Sequence, residues 1–420
     1  MFPMEKRPLA MLLAACLVMS MVIACGSSAG TSAPPPAATQ SQAPATAAPA
    51  TIAPTTAAPA TIAPTTTAPQ VAKPEAATPQ ASANAGEQTT VVFTDSAGRK
   101  VEVPKNITRI ASSGPLAQMV IFALAPEKFV GLAGSWLPEA EQFITTEYYH
   151  LPVLGQLYGT SSSTLNLEEI ARVGPQVVID IGEAKATIVE DMDKIQQQLG
   201  IPAVHIGATT KTMPDAYRKL GQLLGKEKDA EVLAQYLEKV YSDTLKIVNT
   251  VGESGKARLL YCLGDKGINV IAKNSYHAEV IDLVGNNVAV VENPSSKGTG
   301  NEVDMEQILL WDPDVILFAP DSIYGTVASN ATWQNISAIK NKKYYEVPSA
   351  PYNWMGFPPS INRYMGLIWV TELLYPEVAD YDVHKEAVKY YELFYHGKLT
   401  DAQFNTLVAN SLGRADVTSE

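Results

Sequence analysis

The sequence predicts an α/β protein of two lobes, each with a central, mainly parallel sheet flanked by helices, joined by a single long interlobe α-helix. From Thr89 onward, short apolar runs alternate with helical patterns, as in parallel-sheet domains. A helix, proline turn and strand unit also occurs twice. Leu167-Glu168-Glu169-Ile170 leads through Pro175-Gln176 to Val177-Val178-Ile179, and Met305-Glu306-Gln307-Ile308 leads through Pro313-Asp314 to Val315-Ile316-Leu317. Glu168 and Glu306 stand 138 residues apart (306 minus 168), as do Pro175 and Pro313. Between the copies lies the longest helical pattern, with Leu233, Tyr236, Leu237, Val240, Tyr241, Leu245 and Val248 at three- and four-residue spacing. From Asp229 to Val251 it would run roughly 35 Å at 1.5 Å per residue, enough to cross one lobe and enter another.

The chain opens on a targeting pattern. Lys6 and Arg7 precede an apolar run from Leu9 to Ala24, and Val22-Ile23-Ala24-Cys25 closes it. Charge, a short apolar stretch and a small-residue site form the layout of a secretory signal. The run is short for a spanning helix, which needs about 20 apolar residues. Residues 1–24 are expected to be the signal and Cys25 the lipid-modified residue, an ending that resembles the bacterial lipobox. From Gly26 to about Glu87 the chain is mostly Ala, Thr, Pro and Ser, with almost no charge and no aromatics, and the block Thr46 to Thr55 recurs as Thr56 to Thr65. Such a segment cannot bury a core, so 25–88 reads as an extended tether.

Val91-Val92-Phe93 and Val101-Glu102-Val103 flank a turn at Gly98 and predict a hairpin. Strands are expected at 107–111, 129–132, 177–181 and 203–206, with helices at 115–124 and 190–199. These make an N-terminal lobe over 89–228. The linking helix takes 229–251, after a break at Gly225-Lys226. The second lobe, 252–420, is expected to hold strands at 258–261, 315–318 and 344–347, and helices near 277–283, 361–374 and 382–396.

Composition narrows the function. The formal net charge is −12 over 420 residues. That excess of acid argues against a nucleic-acid partner and against a polybasic membrane-binding face. Of the three cysteines, Cys16 leaves with the signal and Cys25 takes the lipid, so Cys262 has no disulfide partner. It follows Leu259-Leu260-Tyr261 and reads as a buried strand residue. The five histidines are scattered, with no pair at metal-ligand spacing, and no protein-held metal or resident cofactor is expected. No nucleophile elbow, phosphate loop or His-Glu-x-x-His motif occurs, and the protein is not expected to be an enzyme.

Taken together, several segments resemble the substrate-binding proteins of ABC importers, in the iron-siderophore, heme and cobalamin class. They are Arg109-Ile110-Ala111-Ser112, the repeated helix and strand units, Leu283-Val284-Gly285-Asn286-Asn287-Val288, and Leu373-Leu374-Tyr375-Pro376-Glu377. The resemblance spans Thr89 to His396 together with the lipobox. It implies a monomeric, extracytoplasmic lipoprotein held to the cell membrane by its lipid. It further implies a metal chelate bound between the lobes and delivered to a permease and ATPase complex. An iron-siderophore is the leading ligand, with cobalamin and heme as alternatives. A ligand-sensing lipoprotein without a transport role is the third reading.

In open α/β sheets, ligands bind beyond the carboxyl ends of the strands. In the first lobe those positions hold Ser112-Ser113-Gly114, Trp136, Tyr158 and Lys185. In the second they hold Lys266, Tyr276, the loop Tyr352-Asn353-Trp354-Met355-Gly356-Phe357, and Arg363. Exposed aromatics in that loop would give a planar or macrocyclic ligand a wide apolar contact, and Arg363 could pair with an anionic chelate. The alternative for Trp354 and Phe357 is local core. The alternative for Ser112 and Ser113 is capping of the next helix. Glu183 and Asp321 keep the 138-residue register (321 minus 183). The resemblance makes them, with Glu190, candidates for docking to the permease, against the alternative of ordinary solvated carboxylates.

Overall fold

The computed structural model describes residues 89–156 and 164–412. The signal, Cys25, the tether and Tyr158 lie outside the described residues. The hairpin pairs β1 (Thr90–Thr94) antiparallel with β2 (Lys100–Pro104). Next come β3 (Ile110–Ser112), β4 (Val177–Gly182) and β5 (Ala203–Gly207), which form a parallel sheet in the order β3-β4-β5. Every residue of β4 is buried, as a central strand covered on both faces requires. The longer helices of this lobe are α1 (Pro115–Leu124), α2 (Leu167–Val173), α3 (Ile188–Leu199) and α4 (Met213–Leu224).

The long helix α5 (Glu227–Val251) begins two residues earlier than the pattern predicts. One stripe of it is buried, from Ala230, Leu233 and Leu237 to Thr244 and Val248, while Val232 on the other face is 56% exposed. It leads to the second sheet, built from β6 (Arg258–Leu263), β7 (Asn269–Val270), β8 (Asn286–Asn287), β9 (Asn301–Glu302), β10 (Val315–Phe318) and β11 (Tyr344–Glu346). Their order is β11-β10-β6-β7-β9, with β8 also on β6. The β6, β8, β10 and β11 pairings are parallel, and the short β7 and β9 run antiparallel. Around this sheet lie α6 (Glu279–Val284), α7 (Met305–Trp311), α8 (Arg363–Leu374), α9 (Val383–Tyr395) and α10 (Asp401–Leu407). The repeat is real in space: α2 leads into β4 as α7 leads into β10.

Some expectations shift. The segment 129–132 is not a strand. It makes isolated bridges, Ile110 with Phe129 and Leu132 with Val153, and at Gly131 the chain lies so close to Leu154 that a Cβ would sit 2.5 Å from that side chain. The first parallel strand starts at Ile110 rather than Ile107. Strands β7 to β9 and helix α10 were not legible, being too short to show a period.

Alternation along β6 divides the second lobe's interior. Leu259 and Tyr261 join a core that also holds Ile110, Phe122 and Trp136 from the first lobe, whereas Leu260 and Cys262 face a separate cluster with Phe318 and Trp333. Cys262 is buried and unpaired, and burial pushes its thiol pKa up. The larger core is continuous across both lobes. Its centre is α8, buried from Arg363 to Thr371, as a helix apolar on nearly all sides must be.

Candidate functional site

The carboxyl ends of the first-lobe strands meet the second lobe along one seam. After β5, the chain turns through Ala208 and Thr210 before α4. Ala208 O accepts the Tyr276 hydroxyl at 3.1 Å, and Thr210 O accepts the Tyr364 hydroxyl. At the start of α1, Leu116 O accepts the Ser360 hydroxyl at 3.4 Å. Further along, the Trp136 ring lies 6.1 Å from Tyr352. Two helix amino termini, α1 from the first lobe and α8 from the second, therefore approach each other here. Neither has a side-chain cap, and on α8 the Arg363 and Tyr364 N–H groups donate to the Ser360 and Ile361 carbonyls at 3.1 Å.

Arg363 is the charged centre of the seam. It is 1% exposed, and its Nη1 donates to Glu279 Oε2 at 2.6 Å and to Thr210 Oγ1 at 3.4 Å. Its Nη2 donates to Tyr276 O, and its guanidinium lies 4.6 Å from the centre of the Tyr276 ring. Gly356, at φ +109°, sits against this group: a Cβ there would come within 2.8 Å of Arg363 Nε. Burial pushes the Tyr276 hydroxyl up to about 12, with Arg363 opposing and Glu279 and Glu183 adding to the rise. His277 is lowered to about 4, first by burial and then by the Arg363 charge, although its Nδ1 reaches Gly356 O at 3.3 Å. A neutral imidazole beside a buried guanidinium leaves the seam's positive charge on Arg363.

The aromatic loop turns inward. Trp354 and Met355 are 1% and 2% exposed, and Trp354 packs edge-on to Trp369 at 6.5 Å. This corrects the expectation of an exposed platform for these two residues. The physical reason is Gly366 on α8, where a Cβ would lie 2.3 Å from Trp354 O, so the loop backbone rests directly on the helix. Asn353 holds the turn: its Oδ1 accepts the Met355 and Gly356 N–H groups at 3.0 and 3.1 Å, and its Nδ2 donates to the Tyr261 hydroxyl at 3.0 Å. Phe357 stays 53% exposed, against Gly298 and His277.

In the first lobe, Trp136 is also core, 4% exposed, with Nε1 donating to Tyr148 O at 3.1 Å and Phe122 edge-on at 5.1 Å. Ser113 does not cap α1, whose N-cap is Gly114. Its hydroxyl instead donates to Asp180, whose other oxygen lies 2.7 Å from His205 Nδ1. The carboxylate stands between serine and histidine, so this buried chain ties β3 to β4 and β5 and is not a nucleophile and base pair. The hydroxyls of Ser112 and Ser275, both buried at the seam, have no hydrogen-bond partner among the described residues. Lys185, Glu183, Glu190 and Asp321 are exposed. The Glu183 charge contributes to the raised pKa of Tyr276, after burial and Glu279.

A groove of about 430 Å³ opens beside the seam, between Glu139 and Phe143 on one side and Glu346, Ser349 and Gln403 on the other. Its lining holds two carboxylates and no Lys or Arg, so it does not suit an anion. The residues that the reading of strand ends missed are Thr210, His277 and Glu279. Thr210 was the most accessible of them, since it falls in the loop that follows a predicted strand, though farther beyond the strand end than Ser113.

The sequence matches the family described as periplasmic binding protein over residues 149–351. It is 23% identical over 333 residues to the molybdate-binding protein MolA of Haemophilus influenzae, covering 72% of this chain and 90% of that protein. It is 27% identical over 192 residues to the Fe(3+)-citrate-binding protein YfmC of Bacillus subtilis, covering 45% of this chain and 58% of that one. Among solved structures it is similar to an ABC transporter solute binding protein from Sulfurospirillum deleyianum. That match has 29% identity and a TM-score of 0.69, and covers 76% of this chain and 99% of that chain.

Proposed function

We propose that this chain works as a periplasmic binding protein, which captures an anionic metal species at its interlobe seam and presents it to an ABC importer. The observation that carries this reading is the meeting of donors from both lobes. The Thr210 N–H and hydroxyl come from the first, and the buried Arg363 guanidinium from the second. Binding can draw two lobes together only through contacts made to both. A dry arginine fork suits carboxylate or oxyanion groups. Molybdate and ferric citrate, in the names of two relatives, are both anionic.

The burial of Trp136, Trp354 and Met355 favours a small anionic chelate or oxyanion over a bulky siderophore, heme or corrinoid. The larger ligands would need a wide apolar platform, and within the loop only Phe357 is exposed. We place the receptor outside the cytoplasmic membrane, tethered through a lipid on Cys25, with Glu183 and Asp321 facing the permease. The tether raises the receptor's effective concentration there.

Titration of the full chain with ferric citrate and with molybdate, followed by tryptophan fluorescence and calorimetry, tests this reading. The expected result is saturable binding of one of them. Replacement Arg363→Gln should weaken it at least about tenfold, or about 1.4 kcal/mol. Lack of saturable binding to both probes would reject it.

A further inference from the structure

Glu279 opens α6, and its side chain is 27% exposed. One of its oxygens, Oε2, receives three donors: the Thr210 N–H at 2.8 Å, the Thr210 hydroxyl at 2.6 Å and Arg363 Nη1 at 2.6 Å. Two come from the first lobe and one from the second. Converging charge-assisted bonds from two lobes are what a bound anion would make, and here the anion belongs to the chain. Among the described residues, Glu279 is also the only ion-pair partner of Arg363.

We propose that Glu279 is a resident occupant of the anion site and acts as its selectivity gate: an anionic ligand binds by displacing the Glu279 carboxylate from Thr210 and Arg363. This inference rests on reading the seam as an anion site. Glu279 has solvent on one side to swing into. Arg363 does not, since the Tyr276 carbonyl and ring and the Gly356 backbone hold it in place. A tethered carboxylate competes at an effective concentration on the order of millimolar. A small monoanion with one contact loses that competition. A ligand with several oxygens wins it, because it keeps other contacts along the seam while it replaces Glu279. Discrimination against chloride and simple carboxylates then comes from an element set against the wrong ligands.

The test uses the full chain as wild type, as Glu279→Ala, as Glu279→Gln and as the double variant Glu279→Ala with Arg363→Gln. The probe is formate, a simple carboxylate, and the readout is Tm at constant ionic strength. Raising formate from about 1 to about 100 mM should raise the Tm of both single variants by about 5 °C, while wild type and the double variant stay flat. Glu279→Gln keeps an acceptor for Thr210, so it carries the test if the alanine variant does not fold. A variant that folds only with formate supports the proposal. Single variants as flat as wild type, or unfolded with and without formate, overturn it. Failure of wild type to bind ferric citrate or molybdate rejects the proposed function and leaves this formate response standing on its own.

Discussion

At the scale of the residue, the seam is a set of choices about charge. Arg363 is paired with Glu279 in a dry place, and the His277 pKa is lowered by burial and by that guanidinium. The His277 shift, from 6.5 to about 4, makes a pH prediction. Between those values the unfolded chain binds a proton that the folded protein does not, so stability falls as pH drops from about 6.5 toward 4. The limit is about 3 kcal/mol for a shift of this size. Urea denaturation across that range should show the loss, and His277→Gln should reduce it. A His277 imidazole that titrates near its ordinary value by NMR would contradict the argument. The sequence made Arg363 a candidate because a cation stands after an aromatic loop at the start of a helix. Its carboxylate partner is 84 residues away, and its threonine neighbour 153 away. No local pattern marks such a pair.

At the scale of the element, α8 decides what the aromatic loop does. The run Arg363 to Thr371 is buried on all sides, so the 350s loop must lie on the helix, and Gly366 leaves room for it. The Trp and Met side chains then have nowhere to go but the core. Gly366→Ala would push a methyl into the Trp354 carbonyl, which is backbone and cannot swing away. We expect a loss of about 2 kcal/mol by urea denaturation. Gly325→Ala, where a Cβ meets nothing within 4 Å, serves as the control. Equal stability of the two variants would refute the packing argument. The loop's composition was legible as unusual, but composition does not say whether an aromatic cluster faces in or out. That depended on the absence of one Cβ at Gly366, on a helix that follows the loop.

At the scale of the molecule, the two lobes share one apolar core. It runs from Val101 and Ile110 through Phe122 and Trp136 to Trp354, Trp369 and Phe404. A 25-residue helix spans the join, and α1 of the first lobe packs against α9 of the second. We therefore expect residues 89–412 to unfold in one cooperative transition, with near-UV and far-UV signals coincident. Two separated transitions would show that the lobes are independent. If the protein binds at the seam as proposed, a shared core would hold closure on ligand to small movements.

The sequence by itself determined the class of fold, the order of its elements and the repeat. These follow from local periods: alternating runs for buried strands, three- and four-residue spacing for α5, and a proline turn before each copy of the repeated strand. It also determined the expectation of an exported, tethered receptor, through the pattern ending at Cys25. Only the tertiary structure decided which side chains reach the seam. It turned Trp136, Trp354 and Met355 into core, tied Ser113 to Asp180, and set Glu279 and Thr210 on Arg363. The reason is physical: periodicity is a property of neighbours along the chain, whereas a site between lobes is made by residues that only folding brings within hydrogen-bond range.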